Sequence, residues 1–188
     1  MRYIDKNTWK RKAHYEFFSR MDYPQYNVCA NVDATDLRNF TKARGLSFYH
    51  TAVYASTLAA NAVEEFRYRA RPDGIVLHDR VHPSFTESIG GDELFSLVTV
   101  NAAGSLEEFL ERVKERLAVQ KDYFGAEDLQ GRDDLLYITC LPWVSFTHIS
   151  HTMKLDRTDS VPRLSWGKYF EDGDRTLLPY SVQVNHAF

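Results

Sequence analysis

The 188-residue chain is short of cysteine: Cys29 and Cys140 are the two it has, and they stand far apart. A disulfide-stapled secreted domain needs more cysteines at closer spacing, so both read as buried free thiols in a reducing compartment. The N-terminal Met1-Arg2-Tyr3-Ile4-Asp5-Lys6 lacks the apolar core of a secretory signal. No apolar run approaches the roughly 20 residues that cross a bilayer. These absences point to a cytoplasmic protein with no membrane partner. Charge of one sign is also scarce. A net formal charge of -3 leaves no basic footprint for nucleic acid. Glycine is thinly spread, and neither a P-loop nor a G-x-G-x-x-G is present, which speaks against nucleotide-driven chemistry. Without a G-x-S-x-G elbow the common hydrolase design has no support. Among the seven histidines, His148 and His151 are three apart. On a strand that spacing puts them on opposite faces. No cysteine or carboxylate cluster completes a zinc site, so no metal is expected.

What the chain does have is core-forming material, 44% apolar and 14% aromatic residues, enough for a single domain over residues 1–188. Asn7 to Phe18 reads as a helix opening at Thr8. Tyr26 to Asp33 alternates as a strand. Asp33 to Ala43 reads as a helix stopped at Gly45, and Ser47 as the N-cap of an alanine-rich helix reaching about Phe66. Asp73-Gly74 is a turn signal before Ile75 to His78. Pro83 to Glu87 and Glu93 to Val100 read as strands. Ser105 to Tyr123 is amphipathic, with Ser105 and Glu108 placed as a capping box. Strands are then expected at Leu135 to Leu141, Val144 to Ser150, Arg163 to Phe170 and Thr176 to Ala187, the last two joined through Glu171-Asp172-Gly173-Asp174. The irregular alternation predicts an α/β (α+β two-layer) chain, a mixed β-sheet covered by helices.

The final strand carries the strongest chemical signal. Tyr180, Val182 and Val184 alternate along it and predict one buried face. It delivers His186 to the edge of the sheet, where a neutral imidazole could take a proton.

The stretch Gly167 to Ala187 closely resembles the corresponding part of chloramphenicol acetyltransferases, which carry the signature Q-x-H-H-A-x-x-D-G-[FY]-H. Three more segments match in order: Trp9-Lys10-Arg11-Lys12-Ala13-His14-Tyr15-Glu16-Phe17-Phe18, Leu94-Phe95-Ser96, and Pro142-Trp143-Val144-Ser145-Phe146. The resemblance implies the CoA-dependent acyltransferase fold and a homotrimer with active sites at subunit interfaces. It implies acetyl-CoA as co-substrate, no permanently bound cofactor, and a small-molecule hydroxyl acceptor, with chloramphenicol a candidate. It places His186 as general base and Arg11 as the partner of a signature aspartate. Ser165 falls near the tetrahedral intermediate and the coenzyme, Lys168 and Tyr169 near the coenzyme, and Phe17, Phe18 and Phe95 in the acceptor pocket.

The chain departs from the pattern in three places. Asn185 stands at the first signature histidine. His148 stands where the family has a serine that donates to the oxyanion, and an imidazole N–H could take that role. The sequence stops before D-G-[FY]-H, so the family's C-terminal helix is expected to be absent and Arg11 to lack its aspartate. The alternative expectations are a non-catalytic trimeric small-molecule-binding protein on the same fold, and an acyltransferase for another acceptor.

Overall fold

The computed structural model describes residues 1–88, 94–125 and 129–188. Its main sheet has seven strands: β2 (Gln25–Asp33), β5 (His82–Ser88), β6 (Phe95–Thr99), β7 (Leu135–Leu141), β8 (Arg163–Gly167), β9 (Phe170–Asp172) and β10 (Arg175–Asn185). Six of them run in the order β2-β10-β8-β7-β5-β6, and β9 pairs with β10. β5, β7 and β8 are parallel neighbours, and the other pairs are antiparallel. A smaller sheet orders β1 (Arg2–Tyr3), β4 (Gly74–Leu77) and β3 (Tyr68–Arg71). Helices α1 (Lys12–Phe18), α2 (Thr35–Arg44), α3 (Phe48–Ala62) and α4 (Leu106–Val119) complete the two layers.

Local signals set most of these bounds. Gly45 ends α2 at φ 64, in the left-handed region where a side chain would be strained. The Ser47 side chain accepts from the His50 N–H at the start of α3. The Ser105–Glu108 capping box is formed on α4. One sheet face carries Phe85, Val98, Leu136, Ile138, Leu164 and Trp166, all at or near full burial, against Ala52, Val53 and Ala60 of α3 and Phe109 and Val113 of α4. The alanines let α3 lie close to the strands.

The opposite face is polar and equally dry. Ser165 and Ser181 are 0% exposed, Gln183 2% and Asn185 4%. The expected burial of Tyr180, Val182 and Val184 is therefore only half of the pattern: both faces of β10 are covered, the polar one more completely. The cover is the crossover 142–162, which links the parallel strands β7 and β8. The Asn27 amide donates to the Ile149 carbonyl at 2.9 Å, and the Asn185 amide to the carbonyls of Arg157 (3.2 Å) and Asp159 (3.0 Å). The Gln183 amide meets the Met153 sulfur at 3.3 Å. Buried polar groups need such partners.

This crossover corrects the strand expected over Val144 to Ser150. Its backbone bonds go to single groups rather than to a ladder: the Val144 carbonyl accepts from the Lys168 N–H at 2.7 Å, and the Ser145 hydroxyl donates to the Lys168 carbonyl at 2.6 Å. Other bounds also shift. α1 begins at Lys12 rather than Thr8, α3 gives way to a 3-10 turn over Glu64–Arg67, and α4 ends at Val119. β8 stops at Gly167, where the Val144 carbonyl oxygen would lie 2.5 Å from an added Cβ. Glu93, the first residue of one expected strand, lies outside the described residues. Fully buried Arg69 ties the two sheets together by donating to the carbonyls of Phe66, Tyr68, Asp133 and Leu135.

Candidate active site

His186 does not sit at a sheet edge, because β10 is an inner strand between β2 and β8. The residue follows Asn185 in a turn whose geometry is fixed from several sides. The His186 N–H donates to the Pro24 carbonyl at 2.8 Å. The Asn185 side-chain oxygen accepts from the Ala187 N–H at 3.0 Å. Phe188 packs into the second core cluster, its ring stacked on Tyr68 at 5.8 Å. The exposed imidazole lies against Phe18 at the end of α1, with centroids 3.9 Å apart, and beside Tyr26 at 4.7 Å. Phe17 meets Phe18 edge-on at 5.1 Å. Asn185 thus has a plain structural task at the place of the first signature histidine.

Arg11 borders the same end of the molecule. It lines a cavity of about 270 Å³ with Tyr26, Val184, Asn185 and Phe188. In place of the signature aspartate another carboxylate meets it: the guanidinium pairs with Glu65, which lies in the 3-10 turn after α3. No local spacing announces this pair, which joins residues 54 positions apart.

The remaining residues lie elsewhere. Ser165 is at the middle of the polar face, and its hydroxyl is 3.0 Å from His151 Nε2. Burial, and then the charge of Arg163, hold the His151 imidazole below its ordinary pKa. His148 is exposed on the crossover, and it is His151 that reaches Ser165. Lys168 and Tyr169 follow β8, and the Tyr169 ring packs against Phe48 (5.7 Å) and the Arg38 guanidinium (5.2 Å).

Phe95 lines a cavity of about 400 Å³ with Tyr49, Thr86, Glu87, Ser88, Leu94, Cys140, Pro142 and Trp143. Thr86 also lines an adjoining cavity of about 300 Å³, which contains Tyr137, Thr139, His151 and Arg163. Tyr49 donates to the Thr86 carbonyl, and burial pushes its phenol pKa far up. Burial pushes the Cys140 thiol up to about 12.

Strand register measures how far apart these groups are. Val182, Leu164, Ile138 and Phe85 form one row across the sheet. Phe95 pairs with Ser88, three residues beyond that row in one direction. His186 lies four residues beyond it in the other, because β10 runs antiparallel to β8. Seven residues and four strand steps correspond to roughly 23 Å along the strands and roughly 19 Å across them. One copy of the chain therefore keeps His186, Phe17, Phe18 and Arg11 at one end of the sheet, and Phe95, Lys168 and Tyr169 at the other.

Comparisons with known proteins identify the family and the fold. The pattern of the chloramphenicol acetyltransferase family matches residues 1–188. A chloramphenicol acetyltransferase from Proteus mirabilis is 29% identical over 187 residues, covering 98% of this chain and 85% of that protein. One from Clostridium perfringens is 30% identical over 186 residues, with 98% and 85% covered. A solved chloramphenicol acetyltransferase superposes with a TM-score of 0.90 at 28% identity, over 100% of this chain and 91% of the other. The cubic core of the pyruvate dehydrogenase multienzyme complex shares the fold at a TM-score of 0.65 and 19% identity, over 93% of this chain and 78% of the other. The class is thus a CoA-dependent acyltransferase fold, and within it the chain belongs to the chloramphenicol acetyltransferase family. Among the described residues no helix is long and apolar enough to cross a membrane.

Proposed function

We propose that this chain transfers the acetyl group of acetyl-CoA to a hydroxyl of chloramphenicol or another small hydroxyl compound. His186 is the general base, and each site is completed by a neighbouring copy in a homotrimer. The observation that carries the assembly is the separation of His186 from Phe95. Both belong to the substrate pocket by resemblance, yet they lie at opposite ends of the sheet. A second copy that brings its Phe95 end to the His186 end of the first would close one pocket from two halves, with Phe17 and Phe18 from one chain and Phe95 from the other.

The chemistry needs little more than positioning and one base. The imidazole takes the acceptor's hydroxyl proton as the oxygen attacks the thioester carbonyl. A tetrahedral oxyanion forms, the C–S bond breaks, and the departing CoA thiolate recovers the proton from the imidazolium. Holding both substrates in one channel supplies much of the acceleration, so no acyl-enzyme is required. Acetyl-CoA acts as co-substrate and no cofactor stays bound. Ser165 supplies a hydroxyl near the intermediate, held by His151, and His148 an N–H for the oxyanion. Lys168 and Tyr169 border the coenzyme. Arg11, neutralised by Glu65, steadies the end of the molecule that carries His186. The reducing cytoplasm suits the two free thiols. Thiol release from acetyl-CoA with chloramphenicol and a panel of other alcohols tests the activity. Turnover with at least one is expected, and none with any would overturn the reading.

A further inference from the structure

We propose that Glu87 makes the cavity under Phe95 and Trp143 selective for a ligand that carries a protonated amine. The inference rests on reading that cavity as part of the acceptor's path.

Among the described residues that line it, Glu87 is the one with an acidic or basic group of the Asp, Glu, His, Lys or Arg kind. The Tyr49 phenol and Cys140 thiol are held neutral by burial. The carboxylate is well shielded, with 19% of its side chain exposed. His50, on the first turn of α3, fixes it from outside the lining: Nε2 lies 2.6 Å from Glu87 Oε2. The other oxygen, Oε1, receives one long bond, 3.3 Å from the Ser88 N–H, which leaves lone pairs for a ligand.

The walls are suited to a cation as well. Trp143 is 73% exposed and Phe95 56%, so both present ring surface at the opening, and Tyr49 adds a ring within. Aromatic faces attract ammonium groups, more strongly where water is displaced. A neutral ligand filling this space would strip water from the carboxylate without replacing it, which is unfavourable. An ammonium replaces that water with a charge-assisted hydrogen bond. The fitting ligand is an amino alcohol with an apolar body, its amine at Glu87 and its hydroxyl toward the adjoining space beyond Thr86.

Two probes separate the cases. One is chloramphenicol, a neutral amide. The other is the same molecule without its dichloroacetyl group, a 2-amino-1,3-propanediol that is cationic at neutral pH. Equilibrium binding of each to the full chain is measured by calorimetry for the wild type and for Glu87→Gln. Glutamine keeps the shape and can still accept from His50, and a melting curve verifies the fold. The variant is expected to bind the amine roughly tenfold to a hundredfold more weakly, and to change affinity for the amide far less. Trp143→Ala, at an exposed position, is expected to weaken the amine severalfold. An unchanged ratio of the two affinities in Glu87→Gln, with the amide still bound and acetylated, would overturn the inference and leave the transferase reading intact. Failure of the wild type to bind or acetylate either probe would overturn both.

Discussion

The imidazole of His186 lies flat on the ring of Phe18, centroids 3.9 Å apart and planes within 14°. The stack leaves the ring nitrogens at its rim and limits rotation of the side chain. His186→Ala is expected to lower kcat by roughly 10²–10⁴-fold while CoA still binds. Phe18→Leu keeps apolar volume but loses the flat contact, and should lower kcat more than it weakens coenzyme binding. Steady-state kinetics with varied acetyl-CoA and acceptor measures both. Retained turnover in His186→Ala would show that the base has been misassigned.

Asn185 anchors the turn rather than entering the chemistry. Its amide satisfies two crossover carbonyls, and its oxygen accepts from Ala187. Asn185→Ala leaves the buried Ala187 N–H without its partner and removes one donor from the Arg157 and Asp159 carbonyls, the latter still accepting from Gln25, and should cost about 1–3 kcal/mol, as a desolvated polar group does. Urea unfolding checks the stability, and kcat should fall with it because His186 loses its support. Unchanged stability would contradict the assignment.

Stability should fall as pH drops below neutral. His78, His82 and His151 are held below their ordinary value of 6.5, in each case chiefly by burial. Asp133 and Asp134 oppose the shift at His78 and His82, and Arg163 reinforces it at His151. A depressed histidine is neutral in the fold while the unfolded chain takes up protons. The unfolded state therefore gains as pH falls through about 6.5, and stability rises with pH across that window. Asp133 and Asp134 are pushed up by burial, but their arginine and histidine partners bring them below 3.8, so their contribution is lost only in stronger acid. Urea midpoints at pH 7.5, 6 and 5 should decline in that order, and His151→Gln should flatten the decline. Equal midpoints at 7.5 and 5 would contradict this.

Much of the fold was readable because local chemistry decided it. Gly45, Ser47 and the Ser105–Glu108 box set helix ends without help from distant residues. The strand expected at Val144 to Ser150 failed because its alternation matched a crossover that packs on a polar sheet face. The same face explains the reading of β10, where Ser181, Gln183 and Asn185 look like a solvent side, but Gln183 and Asn185 bond to that crossover and Ser181 donates to Asn27 of β2. His186, Phe17 and Phe18 were found through motif order, and the structure does group them. Glu65 beside Arg11, His151 beside Ser165 and His50 beside Glu87 depend on contacts between distant parts of the chain, and no spacing encodes them.

Under the proposed assembly, one copy supplies His186 and another supplies Phe95 to the same pocket. This is tested by co-expressing two inactive variants, His186→Ala and Phe95→Arg. Phe95 is 56% exposed, so arginine there blocks the pocket without entering the core. In mixed assemblies, some pockets join the intact His186 of one chain to the intact Phe95 of the other. Acetyl transfer well above that of either variant alone is the predicted result. Activity no higher than the two separate backgrounds, in assemblies shown to contain both chains, would contradict the account.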